Sequence, residues 1–149
     1  MAEVEMHPEL IKINQSAKTA NEAIRQTGQL LVDNGYAEPG YVDSMIDRNK
    51  DVSVYMGNFV AIPHGTTEGK KYIKKTGISV VQYPNGVDFS NDPAEEQLVI
   101  VSFGIAGIGK QHLDLLSKIA LFCSDIKNVE KLADARSADE IISLIGGMK

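Results

Sequence analysis

Pro63-His64-Gly65 closes the apolar run Phe59-Val60-Ala61-Ile62, and His64 is one of only three histidines in the chain. Proline fixes its own φ and biases Ile62 towards extended backbone, while Gly65 lets the chain turn with no Cβ in the way. An imidazole placed there, at the end of a strand, is held firmly and left open on one side. Its reference pKa of about 6.5 makes the neutral form available near neutral pH, so the position suits a nucleophile or a ligand. The competing reading is a turn histidine that only bonds the backbone. His112 falls near the N-terminal end of a predicted helix, where free N–H groups and a partial positive charge gather anions. Taken alone, such a residue is more often an ordinary surface histidine. His7 lies in a polar N-terminal segment and receives no role.

Three other chemistries are weaker. Gly104 to Gln111, GIAGIGKQ, matches a phosphate-binding P-loop as far as Gly-x-x-x-x-Gly-Lys, between a predicted strand and a predicted helix. Gln111 stands where Ser or Thr should hold Mg²⁺, and no later strand ends in an acidic residue. The glycines read better as a strand-to-helix turn that approaches something closely. His64 and His112 could supply two metal ligands, but no third ligand has the spacing of a zinc site. Cys123, the single cysteine, sits in IALFCSDI and reads as a small buried apolar residue. No cofactor and no metal are expected.

The elements that must position these residues follow from periodicity. A short strand is predicted around 11–13. A helix over 16–35 carries Ala20, Ala23, Ile24, Leu30 and Leu31 on one stripe, with Gly35 as its C-cap. A second helix starts near Pro39, buries Val42, Met45 and Ile46, and has Arg48 in its last turn. NFVAIPHG is a strand ending at Pro63. TGISVVQYPNGVDF is a strand followed by a Pro-Asn-Gly turn. EQLVIVSFGI has the unbroken apolar pattern of a strand covered on both faces. The helix over QHLDLLSKIALFCSDI is expected to turn Leu113, Leu116, Ile119 and Ala120 inward. Two further helices follow, the second with a Ser137-x-x-Glu140 capping box and glycines at its end. Strands covered on both sides, with helices before and after, make a single α/β sandwich around a mixed, mostly parallel sheet.

The chain has 149 residues, 43% hydrophobic and 23% charged, with net charge −5 at pH 7. That length suits one domain with a full core. The acidic balance argues against nucleic acid or anionic lipid as the main partner. Lys70, Lys71, Lys74 and Lys75 break the acidic trend and read as a solvated face around a turn. The sequence shows no membrane-length apolar run, no signal-peptide core and no cysteine pair, which together predict a cytoplasmic protein.

Asn49, Met56, Gly57, Val60, Ala61, Ile62, Pro63, His64 and Gly65 fit a long active-site signature: acidic or amide residue, six positions, apolar, Gly, two positions, apolar, Ala, apolar, Pro, His, Gly. The segment resembles the mannitol/fructose class of IIA components of the bacterial sugar phosphotransferase system. MIDRNK, TGISVVQYPNGV, LVIVSFGIAG and HLDLLSKIA extend the likeness, closest to the mannitol type. The resemblance implies an α/β sandwich with a five-stranded mixed sheet. It implies that His64 takes a phosphoryl group from the phosphohistidine of the carrier HPr and passes it to a cysteine of a IIB domain. It also implies that Arg48 and His112 assist. Backbone amides around Gly65 and Thr66 are expected to add donors, and Phe59 and Tyr55 either form an apolar docking rim around His64, shared by HPr and IIB, or are ordinary core. With no IIC-like span and no IIB-like cysteine loop, residues 1–149 read as a stand-alone IIA domain serving a membrane mannitol permease. A fructose-specific or regulatory IIA is the alternative.

Overall fold

The computed structural model describes residues 6–90 and 94–146. Five strands form one sheet in the order β1-β4-β5-β3-β2. They are β1 (Ile11–Lys12), β2 (Tyr55–Gly57), β3 (Val60–Ala61), β4 (Gly77–Asp88) and β5 (Leu98–Ala106). β1 runs parallel to β4 and β3 parallel to β5, whereas β4–β5 and β2–β3 are antiparallel. The expected mixed sheet of five strands is present, but parallel pairs do not dominate it. The longest pairing, β4 with β5, is antiparallel.

Helices α1 (Ala20–Asp33) and α2 (Gly40–Asp51) cover one face; α3 (Gln111–Cys123), α4 (Ile126–Asp134) and α5 (Ala138–Gly146) cover the other. Alternation along the strands sorts the side chains. Val101, Phe103 and Ile105 of β5 pack with Leu115, Ile119, Leu132 and Ile141. Ser102 and Gly104 face α1, where small size matters: a Cβ on Gly104 would lie 2.8 Å from Thr27 Cγ2. Ser79 Oγ donates to the Thr27 carbonyl at 2.7 Å, so the close approach is also hydrogen-bonded.

Helix ends follow their local chemistry. Thr19 Oγ1 accepts the Glu22 N–H at 3.1 Å, and α1 stops at Asn34 with Gly35 at φ +82°. Ser137 Oγ accepts the Glu140 N–H at 3.1 Å, and Glu140 Oε2 returns to the Arg136 N–H at 3.1 Å, so the predicted capping pair forms with its return bond one residue earlier. Of the glycines after α5, Gly147 lies outside the described residues.

Three expectations change. Pro84-Asn85-Gly86 is not a turn between strands: β4 runs through it. Pairing jumps from Gln82↔Val101 to Val87↔Val99, leaving residues 83–86 bulged with Gly86 at φ +76°. β2, which no alternating pattern marked, pairs with β3 through a turn whose Gly57, Asn58 and Phe59 all have positive φ. Helix α3 buries Leu115, Ile119 and Cys123, a stripe at i, i+4, i+8, and Leu113 is 67% exposed.

Gln82 ties β4 to the end of α4 and to the segment after β1. Its amide nitrogen donates to the carbonyls of Leu132, Ala133 and Ala135 at 2.9, 3.0 and 3.0 Å, closing the C-terminal end of α4. Its Oε1 accepts the Asn14 N–H at 3.1 Å. Gln82→Leu leaves these carbonyls without their donor in a buried setting, and is expected to lower stability by about 1–3 kcal/mol. Urea denaturation measures it, with the chemistry of the distant histidine site unchanged.

Candidate phosphoryl-transfer site

His64 follows β3, and the backbone on either side of it is fixed. The Ile62 N–H donates to the Val54 carbonyl at 3.0 Å, and the Ile105 N–H to the Pro63 carbonyl at 3.0 Å. His64 Nδ1 lies 2.8 Å from the Ile62 carbonyl oxygen. A carbonyl only accepts, so Nδ1 carries the proton and the lone pair sits on Nε2.

Helix α2 supplies the next layer. Tyr41 Oη donates to the Ile105 carbonyl at 2.6 Å and accepts the Gly65 N–H at 3.0 Å; Ser44 Oγ accepts the Thr66 N–H at 2.9 Å. Gly65 must be glycine for this packing, because a Cβ there would lie 2.4 Å from both Tyr41 Cε1 and Ser44 Oγ. The amides of Gly65 and Thr66, expected to face a phosphoryl group, are therefore already engaged by side chains. Tyr41, Ser44 and Arg48 stand at i, i+3, i+7 on α2 and share one face. Arg48 Nη1 donates to the Val52 carbonyl at 2.6 Å.

The loop after β5 brings in His112. Gly107 is wedged against it: a Cβ on Gly107 would lie 2.4 Å from His112 Cα and 2.7 Å from its nitrogen. Thr76 accepts the Ile108 N–H at 3.1 Å and donates to Gln111 Oε1, tying the loop to the start of β4. The close approach anticipated for these glycines is thus to the histidine itself. The rings of His64 and His112 stand 5.4 Å apart, tilted by 59°. His112 Nδ1 is buried with no hydrogen-bond partner.

Burial depresses the pKa of His64, and the Arg48 guanidinium adds to it against the opposing bond to Ile62. Burial also depresses His112, helped by the charges of His64, Lys70 and Arg48. Both imidazoles are therefore neutral at pH 7, and Arg48 is electrostatically coupled to both. The structure gathers His64, His112 and Arg48 at one edge of the sheet. His7 precedes the first short helical turn at Pro8–Leu10, far from them in sequence. Cys123 is buried, with its thiol pKa pushed up to about 12 by desolvation. Among the described residues, no three or more His, Cys, Asp or Glu side chains gather as metal ligands.

The expected rim needs correction. Tyr55 is half-buried against the α1/α2 core. Phe59 is exposed, but at the opposite end of β3, where its neighbour Asn58 donates to the carbonyls of Cys123 and Ser124 at the far end of α3. The exposed apolar side chains on the segments around the histidines are Val52, Ile108 and Leu113. Tyr41 and Ser44 are the residues sequence reading missed. Their only signal was polar side chains at helical spacing from Arg48.

An uncharged imidazole with an aimed lone pair, flanked by a second imidazole and a guanidinium, is equipped to carry a phosphoryl group. Residues 6–147 match the family model described as phosphoenolpyruvate-dependent sugar phosphotransferase system, EIIA 2. The chain belongs to this family. It is 54% identical to the mannitol-specific phosphotransferase enzyme IIA component of Enterococcus faecalis over 131 residues, 88% of this chain and 90% of that one. The IIA of mannitol from Escherichia coli superposes with TM-score 0.87 at 37% identity, covering 95% of this chain and 99% of that one. The complex of the Escherichia coli IIA of mannitol with its phosphorylated IIB gives TM-score 0.89 at 36% identity, covering 97% and 99%.

The depressed histidines make stability depend on pH. Between their folded pKa values and about 6.5, the unfolded chain binds more protons than the folded one, so stability rises with pH through that window. It is complete above the window and is lost as pH falls through it. Urea denaturation at about pH 7.5 and about pH 5.5 is expected to show the loss. The double variant His64→Gln/His112→Gln is expected to show a smaller one.

Proposed function

We propose that this chain is a phosphocarrier of mannitol transport, phosphorylated on Nε2 of His64. The observation that carries this reading is the 2.8 Å contact of His64 Nδ1 with the Ile62 carbonyl, which leaves Nε2 as the nucleophile. In loading, the Nε2 lone pair attacks the phosphorus of phosphohistidine on HPr. The new P–N bond forms as the donor's P–N bond breaks, in line, through a loose transition state with charge spread over the equatorial oxygens. In unloading, a cysteine thiolate of the IIB domain attacks the same phosphorus, and the His64–phosphorus bond breaks. Because the Ile62 carbonyl keeps the proton on Nδ1 throughout, His64 leaves as neutral imidazole and not as imidazolate. Positioning and charge stabilisation carry the catalysis.

Arg48 offers its remaining N–H groups to the phosphoryl oxygens, with the bond to Val52 orienting the fork. His112 acts as a neutral donor. A buried N–H without an acceptor is rarer than a buried lone pair without a donor, which puts its proton on Nε2 and leaves Nδ1 bare. The family's mannitol-specific relatives support the sugar assignment. The phosphorylated IIB in the complex of the Escherichia coli relative supports the acceptor. Among the described residues no helix is long and apolar enough to cross a membrane. That fits a cytoplasmic domain that meets the permease transiently.

Incubation with phosphoenolpyruvate, Enzyme I and HPr is expected to add one phosphoryl group, read by intact mass. His64→Gln is expected to add none while melting like the wild type; a phosphorylated variant contradicts the assignment. His112→Ala and Arg48→Lys are expected to keep the site of phosphorylation and lose ~10²–10³ in transfer rate, with the larger share in transfer to IIB. Rapid-quench kinetics of both half-reactions measures this, and wild-type rates in both steps remove the two residues from the machinery. Sugar phosphorylation with membranes carrying a mannitol permease, compared with a fructose permease, tests the sugar.

A further inference from the structure

The four lysines that interrupt the acidic sequence do not lie on an arbitrary solvated face. Lys70 is close enough to His112 to bear on its charge. The segment carrying Lys70, Lys71, Lys74 and Lys75 is fixed on both sides of the site. At its start, Gly69 is packed under Ser44, the residue that holds the Thr66 amide beside His64. At its middle, the N–H groups of Lys74 and Lys75 donate to the Tyr36 carbonyl at 2.8 and 3.2 Å. At its end, Thr76 is bonded to Ile108 and Gln111 in the His112 loop. All four lysines are exposed, and none is ion-paired with a carboxylate among the described residues. Lys71 and Lys75 lie over the rings of Tyr72 and Tyr36, at 5.2 and 4.4 Å from their centroids. The acids near the segment are Glu68 within it, Glu38, whose N–H donates to the Tyr72 carbonyl at 2.7 Å, and Asp114 in the first turn of α3, and against four lysines they leave the cluster net positive.

Resting on the phosphocarrier reading above, we propose that this lysine wall is the electrostatic half of the docking face. Its partner is the thiolate-bearing acceptor, which presents an acidic rim around its cysteine. The apolar half is Val52, Ile108 and Leu113, which are 61%, 49% and 67% exposed and sit on the segments that carry Arg48 and His112.

Two arguments favour the acceptor over the donor. In unloading, an anionic thiolate must approach a phosphoryl group that is already a dianion; in loading, the attacking group is a neutral imidazole. Fixed cations beside the phosphorus matter more where two anions must meet. The rest of the chain is acidic, with net charge −5, so an acidic partner is repelled from other faces and attracted to this one. The wall therefore steers the encounter and orients it.

The test compares the quadruple variants Lys70→Glu/Lys71→Glu/Lys74→Glu/Lys75→Glu and the corresponding Lys→Gln set with wild type. Second-order rate constants for loading from phospho-HPr and for transfer to the IIB domain of a mannitol permease are measured across ionic strength. The Glu set is expected to slow transfer to IIB roughly tenfold or more at low salt, and at least several-fold more than it slows loading. The Gln set should fall between, and added salt should shrink both effects. The loss should lie chiefly in the second-order encounter, with a smaller loss in the first-order rate within the IIB complex, where Lys70 bears on the site. Equal losses in both half-reactions, a larger loss in loading, or no loss at all overturn the proposal. If the wild-type chain takes no phosphoryl group from phospho-HPr, the phosphocarrier reading itself fails, an outcome distinct from these.

Discussion

The parallel pairing of β3 with β5 is the constraint on which the site depends. Two neighbouring strands that run the same way end at the same edge, so the segments leaving them emerge side by side. Val60 and Ala61 pair with Val101 and Ser102. His64 follows three residues after Ala61, and the Gly107 turn follows β5 directly. The register alone therefore brings together two histidines that are 48 positions apart (112 − 64). Everything else refines a coincidence the sheet has already arranged. Tyr41 performs the closest refinement, because a single hydroxyl bridges the end of β5 to the turn after His64.

Charge control is the second consequence of that geometry. An imidazole that is to attack phosphorus must be neutral, and one that stands beside a guanidinium and a lysine in a half-buried setting is neutral for reasons that need no added base. Burial is the largest influence on both rings, and nearby positive charge adds to it. The same cations that keep the empty site uncharged would stabilise a phosphoryl dianion once it arrives. One arrangement thus favours the nucleophile before transfer and the phosphorylated state after it.

Much of this was legible in the sequence, and the parts that were not have physical reasons. Pro63 and Gly65 announced His64 because each restricts or frees the backbone locally. The unbroken apolar run of β5 announced its burial for the same local reason. Pairing is not local. Nothing in Tyr55–Gly57 marks a strand, because β2 exists only through its partner β3, and its turn relies on positive φ at Asn58 and Phe59. The Pro-Asn-Gly stretch carries a turn signature, yet β4 absorbs it as a bulge because pairing with β5 resumes beyond it. Leu113 looked like core from periodicity, but several stripes fit so apolar a helix, and the one that packs on the sheet runs through Leu115, Ile119 and Cys123. Phe59 failed as a rim residue because sequence proximity to His64 says nothing about which end of a strand a side chain occupies.

The engaged amides bear on what kind of phosphate site this can be. Sites that hold phosphate tightly present several free backbone N–H groups to it, as at helix N-termini and glycine-rich nests. Here the two amides that follow His64 are bonded to Tyr41 and Ser44, where they fix the loop and do not grip a ligand. What remains for an anion is side-chain charge: a guanidinium with one of its donors committed to Val52, one imidazole, and the lysines at the margin. Such a site stabilises a phosphoryl group without enclosing it. In the proposed relay that restraint is functional, since a carrier that bound its cargo through a full cradle would load readily and release slowly. In that proposal rigidity belongs to the nucleophile and looseness to the cargo, and helix α2 serves both, with Tyr41 and Ser44 fixing the loop and Arg48, on the same face, placed to meet the phosphate.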